Sequence, residues 1–200
     1  MRRLVLASSN TGKLGELRPL LADTGLELVA QSELGVRDAI EDGLTFVENA
    51  LIKARHACRQ TGLPALADDS GIVVDALGGA PGLISAHYAG VHGDGPGNIA
   101  RVLRELEGVP PERRTARFHC TLVLLRHAED PQPVIAEGSW EGTILSAPRG
   151  DGGFGYAPIF FDPVLQAGAG ELPPEVKNRV SHRGRALAVL RERLAGLVLA

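Results

Sequence analysis

The sequence predicts a fold of interleaved helices and strands, α/β or α+β, built on a mixed sheet. Three observations point there. Near the start, short apolar runs suited to strands alternate with helical patterns, strand-like runs then dominate the middle, and the chain closes on an amphipathic helical stripe. The 200 residues suit one domain, or two small lobes sharing a core, with no internal repeat, low-complexity tract or clear linker.

Residues 4–7 read as a short buried strand. Leu14, Leu17, Leu20 and Leu21 follow at helical spacing, and Pro19 among them implies a kink. Residues 26–30 read as a second strand. Thr45-Phe46-Val47-Glu48 matches a capping box, and behind it Val47, Ala50, Leu51, Ala54 and Cys58 make one apolar stripe. Asn49, Lys53 and His56 fall on another face of that helix. Residues 63–67 read as a strand with Asp68-Asp69-Ser70-Gly71 at its end, and 72–77 as a further apolar run. Residues 78–82 form a turn-rich break. A helix is predicted over 98–106, with Ile99, Val102, Leu103 and Leu106 on one side, and strands over 117–125, 134–140 and 159–161. Ser181 is placed as the N-cap of the last helix, with Ala186, Leu187, Leu190 and Leu194 facing inward. Residues 90–97 and 166–174 are expected to be the mobile loops.

Composition narrows the function classes. A chain that is 44% hydrophobic and 22% charged is an ordinary soluble globular protein. Its net charge of −3 gives no support to non-specific nucleic-acid binding, so an anionic ligand must be met by a local group of Lys and Arg. Cys58 and Cys120, outside any CxxC pair, suit reduced thiols in a cytoplasm. The apolar run after Met1-Arg2-Arg3 is too short for a signal peptide, and no stretch approaches the roughly 18 apolar residues of a membrane span. No His/Cys spacing suggests zinc, and Ser70 lies in D-S-G, outside a nucleophile elbow.

Several segments can carry chemistry. Ser8-Ser9-Asn10-Thr11-Gly12-Lys13 sits between a strand and a helix, where open N–H groups and the helix dipole favour an anion. It departs twice from the GxxxxGK(S/T) phosphate loop, at Ala7 and Leu14. The lost hydroxyl means that any magnesium is held elsewhere in the chain. Taken alone, the segment also reads as a capped helix with an exposed Lys. Asp68-Asp69 offers hard oxygen ligands, or else a solvated Asx-type turn. If the strand runs on through the pair, the two carboxylates point different ways and only one enters a site. Glu41-Asp42-Gly43 is a further acidic loop. Gly150-Asp151-Gly152-Gly153-Phe154-Gly155-Tyr156 suits either close approach to a flat ligand or a turn whose aromatics plug the core. Lys177, His182 and Arg183 bring cationic and hydrogen-bonding groups around a helix start, as a site or as solvated surface.

Taken together, "SSNTGK", "EDGLTFVENALIKA", "ADDSGIVVDALGGAPG", "GGFGYAPIF" and "SHRGRAL", in this order, resemble the inosine triphosphate pyrophosphatase (Ham1-like) family over about residues 3–195. The resemblance implies a single two-lobed domain spanning 1–200, with a long mixed sheet flanked by helices and an active cleft between the lobes. It implies a cytoplasmic homodimer that uses Mg2+ to convert ITP, dITP and XTP to the monophosphate and pyrophosphate. By the same resemblance, Ser8, Ser9, Asn10, Thr11, Gly12, Lys13 and Lys53 contact the triphosphate, and Ser70 contacts substrate. Asp69 is the catalytic acid, and Glu41, Asp68 and Asp69 attend the metal. Phe154, Gly155, Tyr156, Ala157, Lys177, His182 and Arg183 form the substrate-binding stretch around the base. The family pattern carries Asp where this chain has Ala157, which leaves room for relaxed base selection. A nucleotide-binding protein without catalysis is the alternative, and the retained acids argue against it.

Overall fold

In strand β1 (Arg2–Leu6), Leu4, Val5 and Leu6 are apolar without alternation because both faces of this part are covered, as expected of a parallel strand inside a layered sheet. In this computed structural model, which describes residues 2–194, β1 lies between β2 (Leu26–Ala30) and β3 (Ala65–Val74) and runs parallel to both. With β4 (Thr115–Leu125), β5 (Val134–Ile144), β6 (Phe160–Asp162) and β7 (Ala167–Gly168), they form one mixed sheet. The order is β2-β1-β3-β4-β5-β6-β7, with antiparallel pairing from β5 through β6 to β7. The helices are α1 (Thr11–Leu21), α2 (Phe46–Thr61), α3 (Gly95–Glu105), α4 (Pro174–Val180) and α5 (His182–Leu194). Among the described residues, no helix is long and apolar enough to cross a membrane.

The chain divides into two compact units. Among the described residues, the first holds 2–69, 120–138 and 184–194. In it, Leu4 and Leu6 on one face of β1 pack with Leu17, Leu21, Leu187 and Leu190 of α1 and α5. Val5 and Ala7 on the other face pack with Ala50, Ala54, Ala57 and Cys58 of α2. The second unit, residues 70–119 and 139–183, has its own core around Trp140, Phe160, Ile72, Val102 and Leu106.

Several sequence expectations change. β3 does not stop before the acids but runs on through Asp68, Asp69, Ser70 and Gly71, joining what read as two runs. There is therefore no Asx turn, and strand alternation separates the two carboxylates. Helix α1 continues through Pro19, while the side chain of Leu20 lies outside the described residues. Segment 166–174 contains β7 and ends at the first residue of α4, a helix the sequence did not announce. Ser181 keeps the position expected of it, extended (φ −66°, ψ 159°) and immediately before α5 begins at His182, and is at the same time the C-cap of α4. Helix α3 starts three residues earlier than expected, capped by Asp94, whose carboxylate accepts from Gly97 N–H.

Candidate active site

In the first unit, the segment after β1 turns directly into α1. Asn10 is its N-cap, with Oδ1 accepting from Lys13 N–H at 3.1 Å. Ser8 Oγ accepts from Asn10 N–H, and the Ser9 hydroxyl donates to Asp38 Oδ2 at 2.5 Å. The first-turn N–H groups of an eleven-residue helix thus sit in a loop of small polar residues, the local geometry of an anion site. Lys13 reaches across to β3, where Nζ lies 2.6 Å from Asp68 Oδ1.

Helix α2 places the second group. Thr45 caps it, and Glu48 Oε2 returns to Leu44 N–H and the Thr45 hydroxyl. Its polar stripe holds the loop that precedes it. Asn49 Oδ1 accepts from Gly43 N–H at 2.9 Å, and a His56 ring nitrogen lies 3.0 Å from Arg37 O. Lys53 Nζ donates to Glu41 Oε2 at 2.9 Å and to Asp69 Oδ1 at 2.5 Å. A side chain at position 43 would meet Asn49 Oδ1 and Glu48 Cβ at 2.7 Å, so only glycine lets the loop approach this closely.

Asp69 is 7% exposed, and its Oδ2 is buried without a hydrogen-bond partner. Burial pushes its carboxyl up to about 6, against the opposing pull of Lys53 and Lys13. Burial would lower Lys53, but the charges of Asp69 and Glu41 outweigh it and hold the ammonium above its ordinary value. Asp68, on the alternate side of the strand, is fully buried, with the Cys120 thiol 3.4 Å from Oδ2. The expected trio of metal-attending acids is therefore split. Glu41 and Asp69 meet at Lys53, whereas Asp68 meets Lys13. Among the described residues, no group of three or more His, Cys, Asp or Glu side chains could hold a metal ion by itself.

The second unit assembles the remaining candidates. Arg183, 2% exposed, donates from Nη2 to Ser70 Oγ at 3.0 Å. Its guanidinium carbon lies 5.9 Å from the centre of the Phe154 ring, and Lys177 Nζ lies 5.6 Å from it. His182 stacks on Phe118 at 4.9 Å with the planes 15° apart. Phe154 stays 42% exposed, so it is the one ring of its loop open to a ligand face. Tyr156 does plug the core, with its hydroxyl donating to Ser85 O at 2.9 Å. Ala157 is also in that core, 2% exposed, which leaves its methyl little open surface. At Gly153, which has φ +82°, a Cβ would fall 2.3 Å from Lys177 Nζ, so this turn too requires glycine.

Sequence reasoning missed Asp38, Gln31 and Cys120. Gln31 is buried and donates to Asp38 Oδ1, so one carboxylate ties the Ser9 loop to the Glu41 loop. An acid in a loop and a Cys in an apolar strand carry no signal of such partners.

Comparison with known proteins comes to the same place. The Ham1 family model matches residues 4–193. A relative from Xanthomonas campestris pv. campestris, named dITP/XTP pyrophosphatase, is 63% identical over 199 residues and the match covers all of both chains. One of the same name from Xylella fastidiosa is 62% identical over 192 residues, 96% of each chain. Among solved structures, a HAM1 protein from Coxiella burnetii matches with a TM-score of 0.91 at 49% identity, over 98% of this chain and 100% of that one. A nucleoside-triphosphatase / dITP/XTP pyrophosphatase from Mycobacterium abscessus matches with a TM-score of 0.76 at 45% identity, over 94% and 98%.

Proposed function

This chain belongs to the Ham1 family, and from that premise we propose that it is a nucleoside triphosphate pyrophosphohydrolase acting on aberrant purine nucleotides. It converts dITP, ITP and XTP to the monophosphate and pyrophosphate and so keeps them out of nucleic acid. The observation that carries the reading is the Glu41–Lys53–Asp69 cluster, in which a buried carboxylate keeps one oxygen unpaired beside a cation.

We assign the triphosphate to Ser8, Ser9, Asn10, Thr11, Gly12, Lys13 and Lys53. The loop N–H groups and the two ammoniums offset the charge that develops on the phosphoryl oxygens and the leaving pyrophosphate. Asp69, ionised at neutral pH yet more basic than an ordinary carboxylate, orients the attacking water and takes its proton. Lys53 keeps Asp69 anionic and in place. In the second unit, the exposed Phe154 ring and the Lys177 and Arg183 cations suit a planar base bearing carbonyl oxygens, with Ser70, Gly155, Tyr156, Ala157 and His182 supporting that stretch.

The donor set fits a hard divalent ion. Only carboxylate oxygens are offered, one of them orphaned, and magnesium commonly takes one or two carboxylates, completing its shell with water and substrate phosphate. Glu41 and Asp69 are the residues that would hold Mg2+. When bound, the ion supplies charge neutralisation along the triphosphate and acidifies water. A single functional domain, a homodimer, a cytoplasmic location and no role for nucleic acid or membrane belong to the same proposal.

The test is pyrophosphate release with Mg2+ across dITP, XTP, dATP, dGTP and dUTP, compared as kcat/KM. The reading expects dITP and XTP to lead. Even activity over all five keeps the chemistry and rejects the selectivity, the outcome for which Ala157 leaves room. No release from any nucleotide rejects the enzyme.

A further inference from the structure

Of the two lysines assigned to phosphate, Lys53 is held by Glu41 and Asp69, whereas Lys13 is held by a different acid, Asp68. Its Nζ makes an ion pair with Asp68 Oδ1 at 2.6 Å and donates to the Asp68 backbone oxygen at 3.1 Å. An ammonium has three N–H donors, and a single residue holds this one twice, by a hydrogen bond to its backbone oxygen and by the ion pair to its carboxylate. Asp68 is 0% exposed, while the Lys13 side chain is 13% exposed, so the pair is anchored at its acid end and open at its basic end. The second carboxylate oxygen, Oδ2, accepts from the Cys120 thiol on β4 at 3.4 Å. Alternation along β3 gives Asp68 this set of partners and gives Asp69 another, Lys53 and Glu41 being on the latter.

We propose that Asp68 is a positioning residue for Lys13: held between the Cys120 thiol and the Lys13 ammonium, it fixes the cation so that its remaining donor meets a phosphate oxygen, and it takes no part in holding the metal. A free Lys on a four-carbon stem would have to be ordered by the ligand itself, a conformational cost that corresponds to about tenfold in affinity. Asp68 removes that cost before the ligand arrives. The same geometry explains two adjacent acids in one strand, one serving the cation that grips phosphate and the other the water.

This rests on the phosphate role of Lys13, and calorimetry with inorganic tripolyphosphate separates the two claims. Lys13→Ala, Asp68→Asn and the double variant are titrated at several Mg2+ concentrations. The expected result is that Asp68→Asn weakens tripolyphosphate about tenfold, adds nothing in the Lys13→Ala background, and leaves the Mg2+ dependence of the Kd unchanged. If Asp68→Asn binds as tightly as the wild type, or weakens binding equally without Lys13, or shifts the Mg2+ dependence, the positioning role is overturned. If Lys13→Ala itself has no effect, the phosphate role of Lys13 fails and the proposal falls with it. Should Asp68→Asn not fold, Cys120→Ala and Cys120→Ser replace it. The first should weaken tripolyphosphate several-fold and the second should restore it, and equal Kd values for the wild type and both variants overturn the proposal.

Discussion

A buried carboxylate with an unpaired oxygen costs free energy that a protein retains only where it gains something in return, and Asp69 is such a residue. Lys53 removes part of the cost at Oδ1, while Oδ2 is left open and burial keeps its basicity high. Substituting Asp69→Asn preserves shape and removes the base. Turnover should fall by roughly 10²–10⁴-fold, with nucleotide affinity within a few-fold of the wild type in equilibrium titrations. Equal losses in both would make Asp69 a binding residue only. At this scale the sequence was half legible. The adjacent acids Asp68 and Asp69 and the cation Lys53 stand out as chemistry, but their pairing does not. Which Lys faces which Asp depends on strand alternation and on helices far away in sequence.

The element that most shapes the first unit's cluster is α2. One stripe of it is small and apolar, with Ala50, Ala54 and Ala57 letting the helix lie close on the sheet. A neighbouring stripe, Asn49, Lys53 and His56, holds the incoming loop by three side chains and so sets where Glu41 stands. Gly43→Ala pushes a methyl into Asn49 and Glu48 and should displace that loop. Its expected signature is a raised Mg2+ requirement and turnover lowered about tenfold or more, with the melting temperature changed by only a few degrees. A variant indistinguishable in metal dependence would show that the loop does not carry the metal residue. The capping box and both stripes of α2 were readable because they are local and periodic. The extension of β3 through two acids was not, because propensity disfavours Asp in strands, and ion pairs with Lys13 and Lys53 override it. Helix α4 was hidden for a similar reason: at seven residues it is too short to display a period.

For the molecule as a whole, stability comes from two units with separate cores, and the first is pinned at its turn between β4 and β5 by one ion pair. Asp130, 1% exposed, accepts from Arg126 N–H, Nε and Nη2 and from Gln132 N–H. The Arg126 guanidinium and these bonds hold its carboxyl far below the usual range. A depressed carboxylate contributes stability that is present above its unfolded value, about 3.9, and is lost as pH falls toward the folded one. Asp130→Asn should therefore cost about 2 kcal/mol at pH 7, lowering Tm by roughly 5 °C, and the gap from wild type should narrow below about pH 4. A pH-independent gap would mean that shape rather than charge holds the turn. None of this is visible in sequence, where nothing signals that Arg126 and Asp130 pair.

The central claim, that Asp69 directs water at the α-phosphorus of a purine triphosphate, is tested most directly by running one turnover of dITP in H2 18O and locating the label by mass spectrometry. Attack at the α-phosphorus places one 18O in dIMP and none in pyrophosphate, which is the result predicted. Label in pyrophosphate, or in inorganic phosphate with dIDP as product, would contradict it.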